Sequence, residues 1–231
     1  MANNQKICVF DLETDGSNPD VCSPVQIAAI MVDPVKLSIV DNSEFNINIK
    51  PELLEANSEY AYSDSDVLDF HAKVRGSTKE SILQSWHSYQ KQDHGWNMFV
   101  SYLEMYHLRT HGGKKSCFSA PIAAGYNINR FDLRIIERLS KKYNNLNKEG
   151  KTSLFYPRDV LDVMNLIFYW FEGNNELKNY TLDHIRDYLG IDGTGSHDAL
   201  KDVKDTANIL IRFLKLHRKL TGKVKFKSSF A

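Results

Sequence analysis

The chain has 231 residues, of which 42% are hydrophobic and 25% charged, and its 29 basic and 29 acidic side chains balance to zero. This is the composition of an ordinary soluble globular protein, and the zero balance argues against indiscriminate nucleic-acid binding. No stretch approaches the roughly 18 apolar residues of a membrane helix, and the N-terminal Met1-Ala2-Asn3-Asn4-Gln5-Lys6 leads into a strand, not into a signal-peptide core.

Three widely spaced cysteines (Cys8, Cys22, Cys117) with no C-x-x-C are expected to be reduced packing residues in a cytoplasmic protein. The length suits one domain over 1–231. Charge is unevenly spread: residues 1–66 hold twelve acids against three lysines, and from Arg212 onward there are seven basic residues and no acid. A basic tail at about 212–231 reads first as a solvated helix end and second as a phosphate-contacting surface.

In chain order, Ile7-Cys8-Val9-Phe10 predicts a buried strand that ends in Asp11-Leu12-Glu13-Thr14. Val25 to Val32 predicts a second strand, stopped by Asp33-Pro34, and Phe45-Asn46-Ile47-Asn48-Ile49 alternates as a half-buried third. Short links suggest an antiparallel meander. Residues 51–118 form a divergent, helical segment. In it Ser77 with Glu80 fits a capping box opening a helix through Ile82, Leu83 and Trp86, and a second helix is expected from about Trp96. His107 and His111 stand i, i+4, but no acid or cysteine completes a metal set, so an exposed helix end is expected. Gly112-Gly113-Lys114-Lys115 matches no phosphate-binding fingerprint and reads as a loop.

Pro121 to Asn127 predicts a small-residue strand feeding a helix from about Asn129 to Lys142. Arg158 to Leu161 predicts a last short strand, followed by a helix from Asp162 to Phe171. Another runs from Tyr180 to Leu189, ended by Gly190, and a final one from about Ala199 to Leu220. Strands first, then strand–helix alternation, imply an α/β protein with a mixed sheet.

Three acidic motifs carry the chemistry. Asp11 and Glu13, spaced i, i+2 on a strand, share one face roughly 6–7 Å apart. Two such carboxylates repel unless a hard divalent cation lies between them; alternatively they are the polar end of a strand entering the turn Asp15-Gly16-Ser17-Asn18-Pro19. In Gly125-Tyr126-Asn127-Ile128-Asn129-Arg130-Phe131-Asp132 an acid sits on a first helical turn after a strand. In Ser196-His197-Asp198-Ala199-Leu200-Lys201-Asp202 a histidine precedes an acid by five residues. A five-residue step turns a helix well off-face, so His197 is placed in the entering loop, with Asp198 as N-cap and Asp202 one turn in.

The ordered set F-D-L-E-T, G-Y-N-I-N-R-F-D and H-D-A-L-K-D resembles the three motifs of the DEDDh 3′–5′ exonucleases, with the middle motif most similar to exonuclease I-type sequences. The resemblance covers residues 6 to about 215. It implies an α/β ribonuclease H-like fold, with a mixed central sheet of about five strands flanked by helices. It also implies two divalent metal ions, Mg²⁺ or Mn²⁺, held by Asp11, Glu13, Asp132 and Asp202, with His197 as general base. The residue four before the last acid is Asp198 and not tyrosine, which marks the histidine type.

The implied reaction is hydrolysis of single-stranded nucleic acid from a free 3′ end to nucleoside 5′-monophosphates, with DNA favoured over RNA. A proofreading subunit docked on a polymerase is a second reading, and an inactive nucleic-acid-binding module a third. Leu12, Thr14 and Asn127 are expected to hold the terminal nucleotide because they adjoin the acids, and Asp162 is expected to cap a helix or support the site. No membrane partner is expected.

Overall fold

The computed structural model describes residues 5–55, 66–108, 116–173, 177–194 and 198–223. Its centre is β1 (Ile7–Thr14), whose first four residues are buried on both faces. β1 lies between an antiparallel neighbour, β2 (Pro24–Asp33), and a parallel one, β5 (Ile122–Gly125). Beyond β5 runs β6 (Val160–Asp162), also parallel. The other edge of β2 carries β3 (Ser38–Ile39) at one end and β4 (Phe45–Asn48) at the other, both antiparallel. The sheet is therefore mixed, as expected, but has six strands where about five were foreseen. The added strand is β3, two residues long and too short to leave an alternating pattern.

Helices cover both faces. On one, Cys8, Phe10 and Leu12 pack with Ile27, Ala29 and Met31 beneath α4 (Gln92–Met105) and α5 (Asp132–Lys142). On the other, Ile7 and Val9 pack with Ala28, Ile30 and Val32 beneath α6 (Val163–Phe171), α7 (Leu182–Leu189) and α8 (Ala199–Thr221). Strand alternation thus assigns the odd residues of β1 to the α8 side and the even ones to the α5 side. Asp11 and Glu13 continue the α8-facing stripe begun by Ile7 and Val9.

A third cluster joins Val25 of β2 to α1 (Glu52–Glu55), α2 (Asp66–Val74) and α3 (Lys79–Ser88) through Leu54, Leu68, Ala72, Ile82 and Trp86. No described helix is long and apolar enough to cross a membrane.

Several boundaries differ from the sequence expectation. The N-cap of α3 is Thr78, not Ser77: Thr78 is extended and its Oγ1 accepts from the Ser81 N–H, while the Ser77 N–H donates to the Ala72 carbonyl. α4 opens at Gln92, not near Trp96. Its first N–H donates to Glu55 Oε1 at 2.6 Å, a cap supplied from α1. Gly95 inside it is required by close packing, since a Cβ there would lie 2.6 Å from Ile49 Cγ1. His107 is half-buried and hydrogen-bonds Ser119 of a 3₁₀ turn (Cys117–Ser119), so it is not an exposed helix end. His111 and the Gly112–Lys115 loop lie outside the described residues.

α5 begins at Asp132, three residues after the expected start, because Asn127 takes a left-handed conformation (φ 58°) and turns the chain first. Asp198 caps α8 as expected, accepting from the Leu200 and Lys201 N–H groups, and Gly190 (φ 65°) ends α7.

Candidate active site

Four chain segments converge at the carboxyl end of β1. In register, Asp11 stands opposite Ala28 and Glu13 opposite Gln26, with the pairing broken just past Glu13. On the α8 side the helix brings Asp202, one turn in from its N-cap. Carboxylate oxygens of Asp11, Glu13 and Asp202 all lie within 4.8 Å of one another. Residues nearly two hundred positions apart therefore share one small volume.

Asp132 approaches from the α5 side of the same strand. It is 4% exposed, and its Oδ1 accepts the Leu12 N–H at 3.0 Å, in the gap between Asp11 and Glu13. It is not one of the three that cluster within 4.8 Å, but its charge acts on Asp11. The loop leading to Asp132 is tied down by Asp162, whose carboxylate accepts from the Asn127 and Asn129 N–H groups while also capping α6 through Met164. Gly125 lets that loop fold back, since a Cβ there would lie 2.6 Å from the Phe10 carbonyl oxygen. Capping and support is the role the sequence suggests for Asp162.

The electrostatics follow from burying like charges. Burial, then the neighbouring Asp132, Glu13 and Asp202, push the Asp11 carboxyl well above the usual range, with Arg186 opposing. Burial and then Asp202 raise Glu13 to about 7, against the pull of Arg75. Burial raises Asp132 to about 7, although the Leu12 and Asp132 N–H groups oppose it. Burial and mutual repulsion thus favour the protonated carboxyls, and the nearby Arg186 and Arg75 offset this only in part. An all-oxygen donor set of this kind suits hard divalent cations, whose charge would remove the repulsion. The residues present fit that group.

Beside Glu13 opens a cleft of about 540 Å³. It is lined by Thr14, Gly16 and Ser17, by Phe131, and by Asp66, Val67, Phe70 and His71 of α2. His71 is buried and its Nε2–H donates to the Thr14 carbonyl at 2.9 Å; burial lowers its pKa. Thr14 Oγ1 donates to the Gly16 carbonyl, which leaves its backbone to shape the cleft.

Of the expected nucleotide contacts, Leu12 and Thr14 are buried at the strand end, and Thr14 lines the cleft. Asn127 has a buried Oδ1 with no hydrogen-bond partner among the described residues. His197 lies outside the described residues.

Two features escaped the sequence. One is α2, whose side chains wall the cleft although nothing in its pattern relates it to the acids. The other is Arg186 of α7. It is 1% exposed and reaches Asp202, Asp205 and Asp183 at 2.6, 2.8 and 2.8 Å. The signal was available: Arg186 stands i+4 from Leu182 and beside Ile185, on the apolar face of its helix.

The sheet order and the helices on both faces make an α/β fold shared with solved exonuclease structures. Among solved structures, the chain is similar to cell-death related nuclease 4 (TM-score 0.61, 16% identity, 93% of this chain and 65% of that one). It is similar also to Escherichia coli exonuclease I bound to a dT13 oligonucleotide (TM-score 0.62, 18% identity, 95% of this chain and 43% of that one). A third is a 3′-exonuclease that recognises the 3′ end of a histone mRNA stem-loop (TM-score 0.59, 15% identity, 93% of this chain and 84% of that one). These are the kinds of protein that the three motifs resemble. Among curated sequences, a PolC-type DNA polymerase III of Thermotoga petrophila is 24% identical over 219 residues, which span 94% of this chain but 12% of the polymerase. No family model matches the chain.

Proposed function

We propose that this chain is a metal-dependent 3′–5′ exonuclease that releases nucleoside 5′-monophosphates from single-stranded nucleic acid, with DNA favoured. The observation that carries the reading is the convergence of Asp11, Glu13 and Asp202 within 4.8 Å, with Asp132 buried beside them. Four carboxylates approximately balance two divalent ions, Mg²⁺ or Mn²⁺. When bound, such a pair supplies a water nucleophile at neutral pH and a sink for charge on the departing 3′-oxygen.

Asp11, on which the charges of all three other acids act, would hold the cations together with Glu13, Asp202 and Asp132. His197, which directly precedes Asp198 in sequence, would serve as the general base toward the attacking water, a role suited to imidazole near neutral pH. The terminal nucleotide occupies the cleft of about 540 Å³ beside Glu13, where Thr14 lines the floor and Phe70 and Phe131 the walls; Leu12 and Asn127 adjoin the acids next to it and are the further nucleotide contacts of this reading. Aromatic walls accept any base by stacking, which suits an enzyme that degrades without regard to sequence. Three free thiols fit a reducing, cytoplasmic setting.

The preference for DNA rests on the likeness to exonuclease I, seen bound to a DNA oligonucleotide. The likeness to a 3′-exonuclease that recognises the 3′ end of a histone mRNA stem-loop supports RNA as the alternative substrate. The likeness to a polymerase supports a role as a docked proofreading subunit as a further one. Digestion of matched 3′-labelled single-stranded DNA, duplex DNA and RNA with Mn²⁺ separates the substrates. Loss of turnover in Asp11→Ala, by about 10³-fold or more, and in EDTA is the expected result. Full activity in Asp11→Ala overturns the reading.

A further inference from the structure

Arg186 has no part in the reaction proposed above, yet it is the most deeply buried cation next to the acids. All three of its donor nitrogens are used. Nη2 donates to Asp202 Oδ1 at 2.6 Å, Nε to Asp205 Oδ2 at 2.8 Å, and Nη1 to Asp183 Oδ1 at 2.8 Å. Asp205 is fixed a second time by Lys201, whose Nζ also donates to the Asp192 carbonyl. The guanidinium fork is planar and rigid, so anchoring it at Asp205 and at Asp183 leaves its remaining edge one place to point. That place is Asp202.

We propose that Arg186 is a positioning residue for cation binding: by holding Oδ1 of Asp202 it keeps that carboxylate among Asp11 and Glu13 and presents its other oxygen as a single-oxygen metal ligand. The inference rests on the reading of Asp202 as a ligand. An unrestrained aspartate beside two other carboxylates swings toward solvent to escape their repulsion. The fork prevents this. The Arg186 charge also acts on Asp11, so a variant that keeps the charge and loses the fork tests the geometry by itself.

A purely architectural role, joining α7 to α8, is the competing account, and two variants of the full chain separate them. Arg186→Lys keeps the charge but replaces the fork by a point donor. Arg186→Met/Asp205→Leu removes the most deeply buried pair together, a replacement that is commonly neutral for stability, and the Asp202 and Lys201 side chains it frees both reach solvent. For each, Mn²⁺ binding is measured without nucleic acid, by electron paramagnetic resonance of the free ion, alongside the melting temperature. Hydrolysis of a 3′-labelled single-stranded oligonucleotide is then resolved into kcat and KM.

Arg186→Lys is expected to bind Mn²⁺ about tenfold or more weakly, the usual loss when a partner behind a ligand is removed. Its kcat should fall in step while the oligonucleotide KM stays put. The double variant should melt within about 2 °C of the native protein and still bind Mn²⁺ weakly. Native Mn²⁺ affinity in either folded variant overturns the proposal. If the double variant does not fold, Arg186→Lys alone decides by the same measurement. A native chain that binds Mn²⁺ but cleaves nothing defeats the exonuclease reading and leaves this inference standing. A native, active chain whose variants bind Mn²⁺ normally does the reverse.

Discussion

Asp132 and Asp202 both reach the site from the first turn of a helix, and the two helix starts are built differently. α8 has a side-chain cap, Asp198, and its acid is gripped by a buried arginine. α5 has no side-chain cap, and its acid is held by neutral backbone donors, the Leu12 N–H and its own. These compensate burial only in part, and the Asp132 carboxyl stays at about 7. One acid is thus anchored by charge and the other by backbone geometry. Positions that serve one pocket need not be secured by one kind of force.

Paired substitutions give the widest contrast. Asp132→Asn keeps an oxygen for the Leu12 N–H and removes a like charge, so stability should hold or rise while turnover falls by about 10²-fold or more. Asp202→Asn should lose a comparable amount of turnover and also destabilise the fold by about 1–3 kcal/mol, because Arg186 loses a charged partner. Urea unfolding of the two variants measures the difference, and equal stabilities would erase the distinction drawn above.

Next in size is Asp162→Ala. It leaves the Asn127, Asn129 and Met164 N–H groups without their acceptor, so about 3 kcal/mol of stability should go, with activity lost as the Asp132 approach loosens.

Acidity sharpens the comparison further. Burial raises the Glu13 and Asp132 carboxyls to about 7 in the folded protein, above their ordinary values of 4.5 and 3.8. The folded state then binds more protons than the unfolded one between those values, so the metal-free protein loses stability as pH rises from about 4 through 7. Divalent ions should reverse that loss. The Mn²⁺-induced rise in melting temperature should be several degrees larger at pH 8 than at pH 5, measured by scanning calorimetry; an equal rise at both would show the carboxyls to be ionised throughout.

The smallest effect should come from Asp198→Ala, about 1 kcal/mol for the lost cap of α8, with no counterpart at α5 where there is no cap to remove.

Where local chemistry decided, the sequence was informative. Ile7 to Phe10 had to be a buried strand, Asp198 an N-cap and Gly190 a helix stop, and the motif order placed Asp11, Glu13 and Asp202 before any coordinates did. Where a distant partner decided, it was not. Gln92 starts α4 because Glu55 caps it, and Gly95 looks like a breaker until Ile49 is packed against it. Thr78 displaces Ser77 as cap because Ser77 is already engaged with the end of α2. Arg186 was visible as a charge on an apolar stripe, but its partners lie on α8, and a single helix does not disclose them. The α2 wall of the cleft was hidden for the same reason.

The alternation along β1 works like a reading frame. Deleting or inserting one residue between Lys6 and Asp11 would hand Asp11 and Glu13 to the α5 layer and expose the α8 layer to their apolar neighbours, whereas a change of two would only slide them. Homologous strands of altered length should therefore differ by even steps, and an odd step marks a protein that has surrendered its chemistry while keeping its shape.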